Sequence, residues 1–426
     1  MMANLYKLHN QIKHYEWGSA NLIPRLLGIT GDGSPWAELW MGSYSDLSSL
    51  VSLPSGDVSL EELIAGDPRR YLGEKTAEQY GALPFLFKLL AVEKPLSVQV
   101  HPNLVQAREG FERENKAQLA HNSLNRNYRD PNNKPEIICA LTPFTGMCGF
   151  RSREEITRLL SVFLAALGGP GPGRGVGSAP ALVRESFVPL LQALEIPDQA
   201  LAVRNFLNAL FGLSLPAREA LTQFILSVQD ESYEWELMRD FARQYPGDST
   251  IIAPLYLAVF HLEPGEAIFL KAGTPHSYIH GFGVELMANS DNVLRGGLTA
   301  KHIDIAELMK VMDFNAVQPR VVKPEPASGC FTYPAPCEEF SLTVMRGNAG
   351  GAAQPANFAQ NAPAIVIVTE GEVSICGTIL KQGESVFIPA GGDNGKAADP
   401  LVLQGHYTLY VASVPWEQVP LEPAPI

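Results

Sequence analysis

Gly265-Glu266-Ala267-Ile268-Phe269-Leu270-Lys271-Ala272-Gly273 returns later in the chain as Gly383-Glu384-Ser385-Val386-Phe387-Ile388-Pro389-Ala390-Gly391, with five identities over nine positions. Two further positions exchange one aliphatic residue for another. A repeated unit of glycine, acid, apolar strand and glycine is the device of small double-stranded β-helix, or jelly-roll, barrels. The chain is therefore expected to be mainly β and to hold two such barrels. Counting on from each copy, His276 aligns with Asn394. The second barrel is expected to be degenerate, keeping the packing unit and losing a metal-ligating side chain.

Between the first β-like runs and this repeat the hydrophobic period changes. Up to about residue 150 short β-like runs alternate with Gly, Pro, Asn and Asp, with a helical patch at Ser59-Leu60-Glu61-Glu62-Leu63. From Ser152, which with Glu155 reads as a capping box, Ile156, Leu159, Leu160, Phe163, Leu164 and Leu167 line one helical face. A turn-rich stretch from Gly168 to Pro180 ends that helix. It lacks the Gly-Lys-Ser/Thr ending and preceding strand of a phosphate loop and reads as a linker. Helical patterns resume over Leu182–Leu194, Ala200–Phe211, Ala217–Val228 and Tyr233–Gln244, and Tyr245-Pro246-Gly247-Asp248 stops them. Strands are expected again at Ile251–Pro254 and through Leu255–Phe260. The expected division is 1–151 and 250–315 for the two parts of a first β domain, 152–249 for an inserted helical domain, and 316–426 for a C-terminal β domain without metal.

Three distant stretches offer ligands for one divalent ion. Gln99 and His101 lie two apart in the β-favouring run Leu96-Ser97-Val98-Gln99-Val100, so on a strand they share a face. Glu136 precedes the apolar run Ile137-Ile138-Cys139-Ala140, and His276 follows Ala267–Leu270 through the turn Ala272-Gly273-Thr274-Pro275. Each alone reads more simply as a hydrogen-bonded core or strand-end residue. Together, an amide, two imidazoles and a carboxylate without thiolate suit a zinc ion that does chemistry.

Composition narrows the class. With 426 residues, 46% hydrophobic and 18% charged, the chain has the make-up of a soluble globular protein of about two to three domains. A net charge of -13 argues against non-specific binding to nucleic acid and against docking on anionic membranes. Five cysteines without a CxxC pair favour a reducing compartment. No signal-like or membrane-spanning apolar run occurs, and the expected location is the cytoplasm.

The run from His276 to Lys301, which includes Gly283-Val284-Glu285-Leu286-Met287-Ala288-Asn289-Ser290-Asp291-Asn292-Val293-Leu294-Arg295, is similar to the long signature of the type I phosphomannose isomerase family. It departs at Ser277 and Gly296, where alanine is usual, and at Ala300, where proline is usual. Tyr128-Arg129-Asp130-Pro131-Asn132-Asn133-Lys134-Pro135-Glu136 resembles a second signature, with Asn133 in place of the usual histidine. Glu16-Trp17-Gly18-Ser19, Ala37-Glu38-Leu39-Trp40-Met41-Gly42 and Leu83-Pro84-Phe85-Leu86-Phe87-Lys88-Leu89-Leu90 add to the likeness. The resemblance implies two cupin-type barrels, the second degenerate, around an inserted α-helical domain. It also implies one zinc ion per chain held by Gln99, His101, Glu136 and His276, Arg295 in the active site, and exchange of mannose 6-phosphate with fructose 6-phosphate.

Moving a proton between C1 and C2 of a sugar needs a base and a stabiliser for the developing enediolate. Glu285 is the first candidate for the base, with Asp291 and Lys134 as rivals. Arg295 offers a fixed fork of donors to an anionic oxygen, against the simpler role of a structural ion pair. Ser97, Lys88 and Lys301 are candidates for the phosphate, although a solvated lysine is the commoner case. Trp17, Trp40 and Tyr278 are candidate walls of the sugar site or core residues, and His280 a pocket-edge or packing residue. The expected partner is a small sugar phosphate acting on a monomer. Two other readings remain, a sugar-phosphate-binding cupin without catalysis and an iron-dependent oxygenase, which turnover, metal analysis and oxygen consumption separate.

Overall fold

The computed structural model describes residues 5–44, 47–123, 125–167, 178–316, 319–324, 329–348, 354–356, 362–390 and 401–415. Gly391 and Asn394 of the second repeat copy, and residues 168–177 of the expected linker, lie outside the described residues.

The fold is mainly β-sheet with helices, in an eleven-stranded and a ten-stranded sheet. The strand His276–Ala288 is the spine of the first. Its second half pairs with Phe85–Val92 on one side and Glu136–Ala140 on the other. Its first half pairs with Phe144–Phe150 and, at His276, with Gln99. The hand-over falls at Gly281, whose φ of +131° is closed to most side chains and where a Cβ would come within 2.8 Å of the Phe144 Cα. One strand thereby serves two layers, and its ends reach side chains from both.

In the second sheet Ser341–Gly347, Leu401–Ser413, Ala364–Ile375 and Ser385–Ile388 run in order, and Tyr6–His9 then joins Ser385–Ile388. Leu50–Leu53 and Gly56–Ser59 extend this edge. Part of the first 151 residues is therefore hydrogen-bonded to the C-terminal sheet, a long-range pairing that local pattern could not announce. Phe87, Leu89 and Val284 of the first sheet pack with Ile365, Phe387 and Tyr410 of the second in a shared core.

The helical segment begins at Arg153–Ala165, where Ile156, Leu160 and Phe163 are buried as the period requires. Ser152 accepts from the Glu155 N–H, but the reciprocal half of the expected capping box is missing because the Glu155 carboxylate pairs with Arg151. The expected helix Leu182–Leu194 is two helices, Ser178–Ser186 and Val188–Leu194, divided at Phe187, with Pro189 in the first turn of the second. Ile251–Pro254, expected as a strand, is helical: a 3₁₀ turn over Ser249–Ile252, capped by the Asp248 side chain, runs into Ala253–Tyr256. The following strand starts only at Leu257. Before residue 150, helix Leu60–Gly66 forms at the expected helical patch, whereas helix Leu104–Lys116 was not expected. Its start is a reciprocal box between Asn103 and Gln106, a signal the apolar period of so polar a helix does not carry. Val98, Val100, Ile279 and Leu294 share a core with the helical segment, so the helices brace the strands that bear Gln99 and Arg295.

Candidate metal centre and the cavity around it

His101, Glu136 and His276, distant in sequence, are brought together and buried, their ligand-type atoms all within 4.8 Å of one another. His101 Nε2 lies 3.4 Å from Glu136 Oε1, His276 Nε2 lies 3.4 Å from Glu136 Oε2, and the ring centroids are 5.0 Å apart. Backbone carbonyls settle the tautomers. His101 Nδ1 is 2.7 Å from the Asn292 oxygen and His276 Nδ1 is 3.0 Å from the Thr274 oxygen, so each Nδ1 carries the proton and each Nε2 presents its lone pair inward. His101 Nε2 is buried without a hydrogen-bond partner. Burial, with the Lys134 charge, pushes the His101 imidazole down to about 4, against the pull of Glu136, so it is neutral and available at pH 7. Burial would raise the Glu136 carboxyl, but the Lys134 ammonium beside it overrides this and holds the group well below its ordinary value. Two imidazoles whose Nδ1 atoms are held by backbone carbonyls, one with an orphaned Nε2, fit zinc together with an ionised carboxylate.

The strand Val98–Val100 places Gln99 between His276 on one neighbour and Arg295 on the other. Its amide lines a cavity of about 450 Å³ together with Glu136, His276, Lys134, Glu285, Lys88, Ser97, Tyr278, Trp17, Asp291, Arg295 and Lys301. Every proposed site residue except His101, which stands behind Glu136, thus faces one hollow. Its size suits a ligand of sugar-phosphate dimensions.

Lys134 Nζ is 2.8 Å from Glu136 Oε1, the approach expected for residues two apart on an extended segment. Opposite lies Glu285, directly across from Lys88 in the strand register, with Lys88 Nζ 3.1 Å from Glu285 Oε2. Burial raises the Glu285 carboxyl, Lys88 opposes this, and the Glu136 charge adds to it. Lys88, a candidate for the phosphate, also has Glu38 on its other side, 4.0 Å away. A buried ammonium between two carboxylates has no charge to spare. Asp291, named as a rival base, is paired with Arg129 at 3.1 Å and is 41% exposed, so it is a rim residue held by a cation. His280 is exposed on the outer face and is not a pocket-edge residue.

Arg295 is half-buried and has no ion-pair partner among the described residues. Burial, then the like charge of Arg129, lowers its guanidinium from the ordinary value, with Asp291 pulling the other way. Lys301 is lowered by burial and by Arg295 and Arg129. These cations strain against one another at one end of the cavity, which is a place for an anion. Trp17 stacks on Tyr15 at 5.6 Å and Tyr278 meets Phe144 edge-on at 5.4 Å, forming aromatic walls.

Several lining residues escaped the sequence reading. Glu38 stands inside a recognised motif, but no role followed for it from the pattern. Tyr245, read only as a helix stop, lines the cavity and donates from its hydroxyl to the Pro95 oxygen at 3.1 Å. Fully buried Asn292 orients His101 through its carbonyl while its side chain binds the Arg129 and Asp130 N–H groups and the Asp130 and Asn132 carbonyls.

A family profile for the catalytic domain of type I phosphomannose isomerases matches residues 5–153. The mannose-6-phosphate isomerase of Shigella flexneri is 37% identical over 413 residues, covering 95% of this chain and 98% of the relative. That of Escherichia coli K12 is 36% identical over 414 residues, with 95% and 98% covered. Among solved structures, a zinc-bound mannose 6-phosphate isomerase superposes with a TM-score of 0.81 at 35% identity, covering 97% of this chain and all of its own (100%). A variant of phosphomannose isomerase from Salmonella typhimurium gives a TM-score of 0.82 at 34% identity, with the same coverage of 97% and 100%.

Proposed function

We propose, because the chain belongs to the type I phosphomannose isomerase family, that it interconverts mannose 6-phosphate and fructose 6-phosphate with zinc as its cofactor. The observation that carries this reading is the convergence on one cavity of a His-Glu-His group, a buried carboxylate and an arginine with no ion-pair partner among the described residues. Gln99, His101, Glu136 and His276 would hold the ion. Zinc would supply a Lewis acid there to polarise sugar oxygens, without redox change.

The chain's own residues do the rest. Glu285 takes the proton from C2 of the aldose and returns it to C1, while the proton of the C2 hydroxyl passes to O1, the electron pair moving through the enediolate so that the carbonyl passes from C1 to C2. Lys134 balances the negative charge that develops on the oxygens. Arg295 and Lys301 receive the phosphate, with Ser97 as a hydroxyl donor, and Trp17 and Tyr278 close the walls against water.

Within the same reading the two sheets are cupin-type double-stranded β-helix barrels, the second degenerate. The domain division is 1–151, 152–249, 250–315 and 316–426, with Tyr6–His9 and Leu50–Ser59 lent to the second barrel. All residues of the cavity come from one chain, which supports action as a monomer. Five cysteines without a CxxC pair accord with a reducing cytoplasm, and no single helix among the described residues is long and apolar enough to cross a membrane.

The test is an isomerase assay on purified protein as isolated, after chelation, and after zinc is restored. Loss and recovery of fructose 6-phosphate formation are expected. Binding of mannose 6-phosphate without turnover in the zinc-loaded protein refutes the assignment.

A further inference from the structure

Across the strands Glu38–Met41, Phe85–Val92 and His276–Ala288 runs a row of charged groups that the reaction as described uses only in part. Trp40 lies directly across from Lys88, and Lys88 directly across from Glu285. Glu38, two residues before Trp40, points to the same face. Its carboxylate accepts from the Trp40 indole N–H, and Lys88 Nζ lies 5.1 Å from the centroid of the Trp40 ring. The side chains of Lys88, Glu38 and Glu285 are only 8%, 10% and 6% exposed. Two carboxylates share one ammonium, leaving a surplus negative charge where burial makes it costly. A fold that needed only a neutral Lys88–Glu285 pair has no use for Glu38.

We propose that Glu38 is a positioning residue for the isomerisation: fixed by the Trp40 indole, it draws the Lys88 ammonium to a place between two carboxylates and so orients Glu285 while loosening the hold of Lys88 on it. This rests on the reading of Glu285 as the group that moves the proton. Its consequence is electrostatic. A carboxylate bound one-to-one by a buried ammonium is a poor proton acceptor, whereas one whose ammonium is shared keeps more proton affinity. The groups facing Glu285 are Lys88 and Glu38 from one side, Glu136 and Lys134 from Glu136–Ala140 and the residues before it, and Tyr278 from its own strand. Among them Glu38 and Glu136 raise the Glu285 carboxyl and Lys88 and Lys134 lower it. Lys13, 5.4 Å from the Trp40 centroid, is the further cation beside the indole.

The deciding experiment compares Glu38→Gln, Trp40→Phe and Glu285→Gln in the zinc-loaded full chain, reading kcat, KM, the pH profile of kcat and zinc content. Glu38→Gln keeps the side chain's shape and removes its charge. Its kcat is expected to fall by about tenfold to a hundredfold, part of the 10²–10⁴ that a whole general base supplies. KM and zinc content stay within about twofold of the parent on this account, since neither ion nor phosphate touches Glu38. The acid limb of the profile moves to lower pH, because the whole Lys88 charge then falls on Glu285. Trp40→Phe keeps the ring under Lys88 but removes the N–H, and a smaller shift in the same direction is expected; it decides the matter if Glu38→Gln does not fold. An unmoved acid limb and unchanged kcat in these two variants, with Glu285→Gln inactive, overturn the role of Glu38 alone. A Glu285→Gln enzyme that still exchanges the substrate proton overturns the assignment beneath it.

Discussion

The two copies of the repeated unit build the same turn and put it to different ends. In both, a type II turn sets glycine at the third position, Gly265 with φ +88° and Gly383 with φ +84°. In both, the acid at the fourth position closes the turn on the first: Glu266 accepts from the Glu263 N–H at 2.9 Å and Glu384 from the Lys381 N–H at 2.9 Å. Each acid also meets a lysine brought from elsewhere in the chain, Lys323 at 3.1 Å and Lys7 at 2.5 Å. The strands that follow, Ala267–Leu270 and Ser385–Ile388, end at equivalent residues with unlike neighbours. Leu270 lies across from Glu136, whereas Ile388 lies across from Ala364. A methyl group thus occupies the register position that carries the carboxylate in the first sheet. Among the described residues the metal-type group belongs to the first sheet alone. Turn chemistry is the shared scaffold, and the cross-strand partner decides whether the scaffold bears a site.

The harshest test makes the first register like the second. Glu136→Ala is expected to lose zinc and to lower kcat by about 10³-fold or more, since it removes both the anionic ligand and the partner of Lys134. Metal analysis and turnover check it, and retained zinc would break the contrast. The converse change, Ala364→Glu, buries a carboxylate with no cation or imidazole provided for it. A loss of roughly 3–5 kcal/mol in denaturant unfolding is expected, without uptake of a second zinc. Binding of a second ion would show that register alone makes the centre.

The pH response of chelated protein sharpens the comparison further. His101 is held at about 4 in the fold against an ordinary value of 6.5. The unfolded chain therefore binds the extra proton first. Stability is full above about pH 6.5 and declines as pH falls toward 4, by on the order of 2–3 kcal/mol. Thermal melts of chelated protein from pH 7 to 4 should show this, and His101→Gln should flatten the response. The smallest effect is expected in the turns themselves. Glu266→Ala and Glu384→Ala should each cost about 1 kcal/mol for a lost cap. Only the first should weaken zinc binding in a chelator competition, because only its strand is paired to Glu136. Equal zinc affinities in the two variants would mean that the turn does not support the site.

Much of the site could be read from residue spacing because strand geometry is local. The alternation of Gln99 with His101, and of Lys134 with Glu136, places each pair on one side of an extended segment, and the structure turns all four toward one centre or its cavity. The carboxylate partners of Lys88 were not legible in the sequence because a lysine's partner depends on strand order. Only the adjacency of Glu38–Met41, Phe85–Val92 and His276–Ala288 shows that Lys88 is already engaged. Ile251–Pro254 was misjudged because apolar β-branched residues read as strand until the Asp248 cap and the surrounding core turn them into helix. Tyr245 passed as punctuation because nothing near it in sequence says that a helix end will reach a cavity.

By itself the amino-acid sequence determined the repeat, the helical interruption, the family likeness and the residue types able to hold zinc, since each follows from local period, turn preference or side-chain chemistry. The tertiary structure alone decided which charges meet. It drew Tyr6–His9 into the distant sheet, paired Glu285 with Lys88, left Arg295 without a counter-ion among the described residues and set Glu136 rather than an alanine opposite the strand end. Electrostatic interactions act through space at a few ångströms, and spacing along a chain does not specify those distances until strands have chosen their neighbours.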